Sequence, residues 1–186
     1  MIIGDLVVSG FGESIRASGF PHENKDKTAT MSRERAIKLA HAPIGSGHDS
    51  FLKGITVSAD VTASQAWWMQ FMRYHFVDIV SSTSKMHSLL KLDLDEICNT
   101  YVNRRTINFL NELIEQHEKE TCGITKKEIW NRILYNVPMG LELKGRVITN
   151  FLQLKTIYKQ RKNHRLGEWD TFSAWIEELD EWRLIT

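Results

Sequence analysis

Apolar residues in the first half of the chain recur at spacings that predict three β-strands. Residues 2–9 contain a short run of aliphatic side chains. Residues 55–61 alternate apolar and polar side chains, which is typical of a strand with one buried face. A shorter extended segment is predicted at residues 77–80. The predicted strands therefore all lie early in the chain.

Helices are predicted where hydroxyl residues precede apolar residues at helical spacing. Ser32 is an N-cap for a short helix, and Pro43 is expected to end that helix because proline cannot continue it. Thr62 or Ser64 is the expected cap of the next helix, which carries two tryptophans. Both helices lie between predicted strands.

The second half of the chain, residues 100–186, is predicted to be mainly helical. Apolar side chains recur at helical spacing over residues 107–114. Residues 125–128 have the Thr-x-x-Glu form of a capping box, and an apolar pattern over residues 147–161 continues the helical prediction. Residues 172–179 predict a last amphipathic helix.

These elements predict an α+β fold, with a short antiparallel sheet early and several helices in the second half. Residues 1–186 fit a single domain. Residues 10–30 are polar and rich in glycine and lysine, so they are predicted to form a loop or flexible hairpin. Residues 45–50 predict a tight turn, and their two glycines without a following Lys-Ser/Thr pair do not match a P-loop.

Composition limits the classes of partner. The 186 residues carry a net charge of +1 and 42% hydrophobic side chains, so neither nucleic acid nor an anionic membrane is an expected partner. Cys98 and Cys122 lack CxxC spacing, which argues against a disulfide scaffold or a zinc site. The histidines lack the i, i+4 spacing of a zinc helix, so no metal is predicted. Without a membrane-length apolar run or a signal peptide, the expected location is the cytoplasm.

Candidate chemistry concentrates in residues 70–87. This segment combines Arg73 and Lys85 with two histidines and four consecutive hydroxyl side chains, beside strongly apolar residues. Arginine offers a fixed fork of donors to phosphate or carboxylate, and hydroxyls add short hydrogen bonds. The segment therefore predicts an anion bound at a partly desolvated pocket wall.

Two other clusters leave alternatives open. Trp67 and Phe71 fit the core side of a helix, whereas adjacent Trp68 is expected to face a ligand or a subunit interface. Residues 158–169 carry four cations after an apolar helix. They are either a solvated basic helix end, which the helix dipole favours, or a second anion clamp that meets Arg73 across the pocket.

The segment from His48 to Met86 resembles the flavin-dependent thymidylate synthases. Their signature is Arg-His-Arg, two residues, Ser, one residue, Asn-Glu, one residue, Ser, one residue, Arg-Tyr, and it aligns without gaps from Arg73. His48, followed by a Ser and a Phe, fits the family's lead-in, and residues 150–161 resemble its nucleotide-binding helix. At the other signature positions this chain has different residues, in order Tyr74, His75, Asp78, Val80, Ser81, Thr83, Lys85 and Met86.

The resemblance implies an α+β fold and a homotetramer with active sites between subunits. It also implies FAD as cofactor, dUMP or a related pyrimidine nucleotide as acceptor, and folate and NADPH as further reactants. Flavin contacts are implied for His48, Arg73, Tyr74, His75 and Thr83. Nucleotide contacts are implied for Gln70, Ser82, Ser84, Lys85 and Arg161.

Within that scheme, Arg73, Lys85 and Arg161 are expected to bind phosphate groups, with hydrogen bonds from Ser82 and Ser84. His75 is the expected catalytic residue, because an imidazole titrates near neutral pH and can move a proton.

The departures from the signature bear on catalysis. Replacing Arg by Lys85 keeps charge but loses bidentate geometry, while Ser81 and Met86 remove a carboxylate and a phenol. Three interpretations follow: a divergent flavoenzyme that transfers a one-carbon unit, a non-catalytic nucleotide- or flavin-binding protein, and a structural homo-oligomer of the same fold.

Overall fold

A computed structural model describes residues 1–24, 31–43 and 46–186. Within these ranges, four strands form one antiparallel sheet in the order β1-β2-β4-β3. The strands are β1 (Ile2–Ser9), β2 (Thr56–Ser64), β3 (Asp78–Ser82) and β4 (Glu142–Asn150). The helices are α1 (Phe11–Ala17), α2 (Arg33–Ala40), α3 (Gln65–Phe71), α4 (Lys85–Ser88), α5 (Leu94–Ile97), α6 (Arg104–Lys119), α7 (Gly123–Tyr135), α8 (Phe151–Arg161) and α9 (Glu168–Glu178). The α+β prediction is confirmed.

The predicted caps and the alternating strand are confirmed. The Ser32 hydroxyl accepts a hydrogen bond from the Arg35 N–H, and Ser64 accepts one from the Trp67 N–H, both at 3.2 Å. On β2, alternate residues from Val57 onward are buried while their neighbours are partly exposed. One face of the sheet is therefore covered by the core.

Strand β4 corrects the prediction that the helical pattern of the second half already includes Val147. Residues 142–150, including Val147, form a strand between β2 and β3, and α8 begins only at Phe151. The Asn150 side chain caps α8 by accepting from the Gln153 N–H at 2.9 Å. The strand carries Gly145 and two cations, which weakens its apolar pattern, although Gly145, Val147 and Thr149 are buried in strict alternation.

Two further predictions are wrong. Residues 10–24 are not a loop, since they form α1 and a 3-10 turn over Phe20–His22, with Phe11 and Ile15 packed against the core. The capping box at residues 125–128 does not form, because α7 begins earlier, at Gly123. The remainder of the predicted loop, residues 25–30, and the first residue of the predicted turn, residue 45, lie outside the described residues.

Both adjacent tryptophans are buried, which corrects the expectation that Trp68 faces outward. Trp67 stacks on Phe71 with ring centroids 4.4 Å apart, as predicted for the core side of α3. Trp68 lies in the same core and donates a hydrogen bond to the Leu143 carbonyl at 2.9 Å. A Cβ on Gly145 would lie 3.0 Å from the Trp68 ring, so the glycine makes room for the second indole.

A second hydrophobic cluster, built around Leu110, Leu113 and Ile133, packs α6 against α7. Leu143 of β4 contacts this cluster and the main core. Among the described residues, no helix is long and apolar enough to cross a membrane.

Candidate functional site

The uncovered face of the sheet holds a small polar pocket at the end of β3. Ser82 and Thr83 line it together with Lys144 and Arg146 of β4 and Asp60 of β2, around a volume of about 230 Å³. We call this group of five residues the strand-end pocket. Two of its members, Ser82 and Thr83, belong to the segment that the sequence singled out.

Strand pairing explains why these residues meet. In the antiparallel register Asp60 lies opposite Arg146, and Ser82 lies opposite Gly145. Beyond the end of β3, the Thr83 N–H donates to the Lys144 carbonyl at 2.8 Å. Side chains two apart on one strand point to the same face, so Lys144 and Arg146 both reach the uncovered side.

The pocket has more positive than negative charge. Asp60 accepts hydrogen bonds from Lys144 Nζ at 2.8 Å and from Arg146 Nη1 at 3.0 Å. The hydrogen bond from Lys144, followed by that from Arg146, lowers the pKa of the Asp60 carboxyl, and Asp60 in turn raises the pKa of Lys144. Among the five pocket residues two cations face one carboxylate, which suits the pocket to an anion such as a phosphate. Asp5 lies nearby: its carbonyl accepts from Arg146 Nη1 at 2.6 Å, and its charge adds to the rise in the pKa of Lys144.

Sequence reasoning missed the pocket residues contributed by β2 and β4. The sequence pattern does not predict β4, so it places Lys144 and Arg146 in no site. Their alternation with Gly145 and Val147 is the signal that could have revealed both the strand and a cationic face.

Three other predicted residues, Gln70, Tyr74 and Arg161, form a second cluster. Arg161 Nε donates to the Tyr74 hydroxyl at 2.6 Å, and Arg161 Nη1 donates to Gln70 Oε1 at 3.1 Å. The guanidinium also lies 4.8 Å above the Trp169 ring and 3.0 Å from His164 Nε2. We call these five residues the Arg161 cluster.

The Arg161 cluster bears on both interpretations of residues 158–169. Arg161 is half-buried and bonded to neighbouring side chains, so it is not a freely solvated helix end. Trp169 Nε1 shares the Gln70 oxygen with Arg161, at 2.9 Å. The cluster ties the end of α8 to the turn that follows α3, which is the start of the resembling signature.

The remaining predicted residues lie apart from these two groups. Arg73 and His75 are exposed in the turn after α3, and His48 is exposed on the segment between α2 and β2. Ser84 precedes α4, and Lys85 Nζ donates to Gln65 Oε1. Thus Ser82 and Thr83 meet at one place and Gln70, Tyr74 and Arg161 at another.

A hydrogen bond from strand β4 holds the turn after α3. Phe76 has a φ of 59° and a side chain that is 73% exposed, and its carbonyl accepts a hydrogen bond from the Thr149 hydroxyl at 3.0 Å. A positive φ is uncommon for a bulky residue and signals a locally constrained backbone. His75 and Phe76, which lie within the signature segment, are both exposed to solvent in this turn.

The donor groups of the strand-end pocket suit a phosphate, but the volume of this pocket is small. Binding pockets for molecules the size of a drug or cofactor span roughly 300–1,000 Å³. The strand-end pocket, at about 230 Å³, accommodates the phosphate portion of a nucleotide rather than a whole dinucleotide. The rest of such a ligand would extend over the uncovered sheet face.

Comparison with known proteins establishes the fold. The sequence matches no protein-family model and no curated protein. A solved structure of thymidylate synthase X (ThyX) from Helicobacter pylori with FAD and dUMP is similar with a TM-score of 0.71 and 12% identity, over 98% of this chain and 95% of that one. A second structure, flavin-dependent thymidylate synthase ThyX from Helicobacter pylori complexed with FAD and dUMP, gives 0.69 and 12%, over 100% and 98%. At this identity the similarity concerns the fold alone, and it agrees with the α+β fold that the resemblance to the flavin-dependent thymidylate synthases implies.

Proposed function

We propose that this chain is a divergent protein of the flavin-dependent thymidylate synthase type, which binds FAD and a pyrimidine nucleotide such as dUMP. The observation that carries the proposal is the strand-end pocket, where two cations meet two hydroxyls of the signature segment. Support comes also from the solved structures of similar fold, whose descriptions name FAD and dUMP as bound molecules.

Each pocket residue has a role in this proposal. Arg146 and Lys144 bind phosphate oxygens by charge-assisted hydrogen bonds, while Ser82 and Thr83 donate hydroxyl hydrogen bonds to the same group. Asp60 pairs with both cations and lowers the net charge of the pocket. A bound flavin supplies reducing equivalents.

The other residues that the resemblance names are assigned to the same ligands in this proposal, although they lie apart from the strand-end pocket. Arg73, Ser84 and Lys85 bind further anionic groups, and His48 and Tyr74 contact the cofactor. His75 holds or moves a proton at its imidazole. If the chain is catalytic, it transfers a one-carbon unit to the nucleotide, with folate and NADPH as donor and reductant.

A second candidate is a non-catalytic homo-oligomer of the same fold. Aliphatic side chains stand exposed on the uncovered sheet face, including Ile2 at 69% and Val80 at 64%. Exposed apolar groups of this kind favour association with another surface. In this candidate the sheet face pairs with a second copy, and the pocket cations serve the interface.

Flavin retention tests the proposal most directly. The purified protein is mixed with FAD and passed through gel filtration, with absorbance of the flavin measured in the protein peak. We expect flavin to co-elute and dUMP to bind to the same protein. Replacing both cations, Lys144→Gln with Arg146→Gln, should weaken FAD binding by about tenfold or more.

The matched control is Lys119→Gln, because Lys119 is a 79% exposed cation on α6 whose partner is Glu115 of the same helix. It should leave FAD binding unchanged. Ser82→Ala tests the hydroxyl without altering charge and guards against misfolding of the double variant. If FAD does not bind at about 1 mM, or binds equally to all variants, the proposal is wrong and the oligomer candidate remains.

A further inference from the structure

A much larger cleft is lined by none of the residues predicted for the flavin and nucleotide site, although it adjoins the Arg161 cluster where the Leu166 N–H donates to His164 Nδ1 at 3.1 Å. It has a volume of about 820 Å³ and is an open cleft lined by the residues before α6, the loop between α7 and β4, and the start of α9. This volume lies in the usual range for small-molecule sites, roughly 300–1,000 Å³. Neither the strand-end pocket nor the Arg161 cluster accounts for it.

Backbone hydrogen bonds fix the walls of the cleft. The Asn99 N–H donates to the Gly140 carbonyl at 2.9 Å, and the Ala66 N–H donates to the Met139 carbonyl at 3.1 Å. A Cβ on Gly140 would lie 2.5 Å from Val102, so the glycine permits this close approach. The cleft is therefore a feature of the packed fold.

The cleft presents apolar surface that the described residues leave exposed. The Tyr101 side chain is 95% exposed, and Met139 is 49% exposed. Aromatic rings and methionine sulfur make favourable contacts with flat ring systems. A planar ligand would bury both side chains.

Two amides and a guanidinium of the cleft offer donors to a ligand, while the Thr106 and Thr171 hydroxyls can donate or accept. The side-chain oxygens of Asn99 and Asn103 accept from the backbone N–H groups of Tyr101 and Arg105, at 3.2 and 2.9 Å. The groups that these amides offer to a ligand are then their NH₂ donors. Arg165 adds a cation at the rim.

Among the described residues that line the cleft, Glu168 is the one carboxylate. Both of its oxygens are engaged by Ser64, one accepting from the N–H at 2.8 Å and the other from the hydroxyl. The cleft thus favours a ligand that is rich in acceptors and carries negative charge.

We propose that this cleft is a second ligand site, which binds an aromatic heterocycle bearing one anionic group. The heterocycle packs against Tyr101 and Met139, its acceptor atoms receive hydrogen bonds from Asn99 and Asn103, and the anionic group pairs with Arg165. The anion is a phosphate monoester or a carboxylate, because a guanidinium binds both. This inference stands apart from the proposed flavin site.

Isothermal titration with four probes tests the chemistry of the ligand. AMP combines a heterocycle with a phosphate, nicotinate combines one with a carboxylate, and adenosine and inorganic phosphate each supply one half. We expect AMP or nicotinate to bind, and the tighter of the two identifies the anion. Adenosine and inorganic phosphate should each bind at least about tenfold more weakly.

Substitutions in and outside the cleft test whether AMP or nicotinate binds there. Arg165→Gln should weaken AMP or nicotinate binding by about tenfold, and Tyr101→Ala by about fivefold. Thr171→Trp, at an exposed position that lines the cleft, should block the site. Lys159→Gln, an exposed cation on α8, is the control that leaves binding unchanged.

Three results would overturn the inference. The first is no binding of AMP or nicotinate at about 1 mM. The second is adenosine binding as tightly as AMP, which would remove the anionic requirement. The third is AMP binding that survives Arg165→Gln and Thr171→Trp but is lost in Lys144→Gln, which would move it to the strand-end pocket.

Discussion

Arg161 Nε donates a hydrogen bond to the Tyr74 hydroxyl at 2.6 Å, across 87 residues of sequence. The guanidinium stacks over Trp169, so the bond is shielded from water on one side. It joins the end of α8 to the turn that leads from α3 into β3. The stability of that turn therefore depends on a residue far along the chain.

Removing the Tyr74 hydroxyl should destabilise the protein. In Tyr74→Phe the ring stays and Arg161 loses one acceptor, so we expect the free energy of unfolding to fall by about 1–2 kcal/mol. Urea denaturation monitored by tryptophan fluorescence measures it. Tyr135→Phe, at a side chain that is 83% exposed, is the control and should change stability by less than about 0.5 kcal/mol. Equal stability of the two variants would contradict the role assigned to this bond.

Lys155 forms a buried ion pair that the proposed function does not use. Its Nζ donates to Asp49 Oδ2 at 2.7 Å and also to the Ala40 carbonyl, and its side chain is 4% exposed. Lys155→Met leaves the carboxylate and the carbonyl without this donor, so we expect a loss of about 3–5 kcal/mol in the free energy of unfolding. Thermal and urea denaturation measure the loss.

The double variant separates the ion pair from the packing of the lysine stem. Replacing Asp49 as well, with Lys155→Met and Asp49→Leu together, removes the uncompensated charge and should recover part of the lost stability. If the double variant is as unstable as the sum of the two single variants, the pair is not coupled.

Local signals in the sequence predicted local structure well. Ser32 and Ser64 cap their helices as expected, because an N-cap needs a hydroxyl and three following residues and nothing from the rest of the fold. The alternation of apolar and polar residues in β2 was likewise sufficient to predict that strand, since such alternation reflects one buried face. The capping box at residues 125–128 failed because the helix already begins at Gly123.

Contacts between residues far apart in the sequence determine several features that the local sequence pattern does not predict. Gly145 in the middle of β4 weakens the strand pattern, and its place is explained only by the Trp68 ring that packs against it. The same contact buries Trp68, which local reasoning placed outside. Once β4 was missed, Lys144 and Arg146 could not be assigned to a site, because their partners Asp60 and Thr83 come from elsewhere in the sheet.

Asp60 should limit anion binding at the strand-end pocket, because its carboxylate occupies donors of Lys144 and Arg146. Asp60→Asn removes the competing charge and keeps the shape. We expect FAD and inorganic phosphate to bind several-fold more tightly, by about 3- to 10-fold. Titration calorimetry at low and high salt measures this, and the gain should shrink with salt.

Weaker binding in Asp60→Asn would show instead that the carboxylate positions the cations. Lys144→Gln in the same background distinguishes the two cases. This second substitution should abolish the tighter anion binding of Asp60→Asn if the lysine released from Asp60 causes that tighter binding.

Exposed Arg73 should serve ligand binding rather than the fold. Arg73→Ala is expected to weaken binding of FAD or dUMP by about tenfold while changing the unfolding free energy by less than about 0.5 kcal/mol. Unfolding or dissociation of this variant, with ligand binding per folded protein intact, would make Arg73 structural and displace the proposed site.

The Asp60 ion pairs should also make the stability of the folded protein depend on pH. The pKa of the Asp60 carboxyl in the folded protein is lowered by Lys144 and then Arg146. A lowered folded-state pKa contributes stability that is present above the unfolded value, about 4, and is lost as the pH falls through the folded value. The difference in urea midpoint between the wild type and Asp60→Asn should therefore be largest near neutral pH and shrink below about pH 4. A difference in urea midpoint that stays constant from neutral pH to below about pH 4 would contradict this role of the Asp60 ion pairs.

The two cysteines should react at different rates. Cys122 is exposed at the start of α7, and hydrogen bonds from the Thr125 backbone, the Thr125 side chain and the Ile124 backbone lower the pKa of its thiol. Burial raises the pKa of the Cys98 thiol. Because the thiolate is the reactive form, iodoacetamide at pH 7.5 should label Cys122 first, as followed by peptide mass spectrometry.

Thr125→Val tests the cause of this difference. It removes the hydroxyl but keeps the side-chain shape and the backbone donor, so Cys122 should be alkylated more slowly while Cys98 is unchanged. Exposure alone would predict no effect of this variant. An unchanged Cys122 rate would therefore assign its reactivity to solvent access, whereas a slower rate would assign it to the hydrogen bonds at the start of α7.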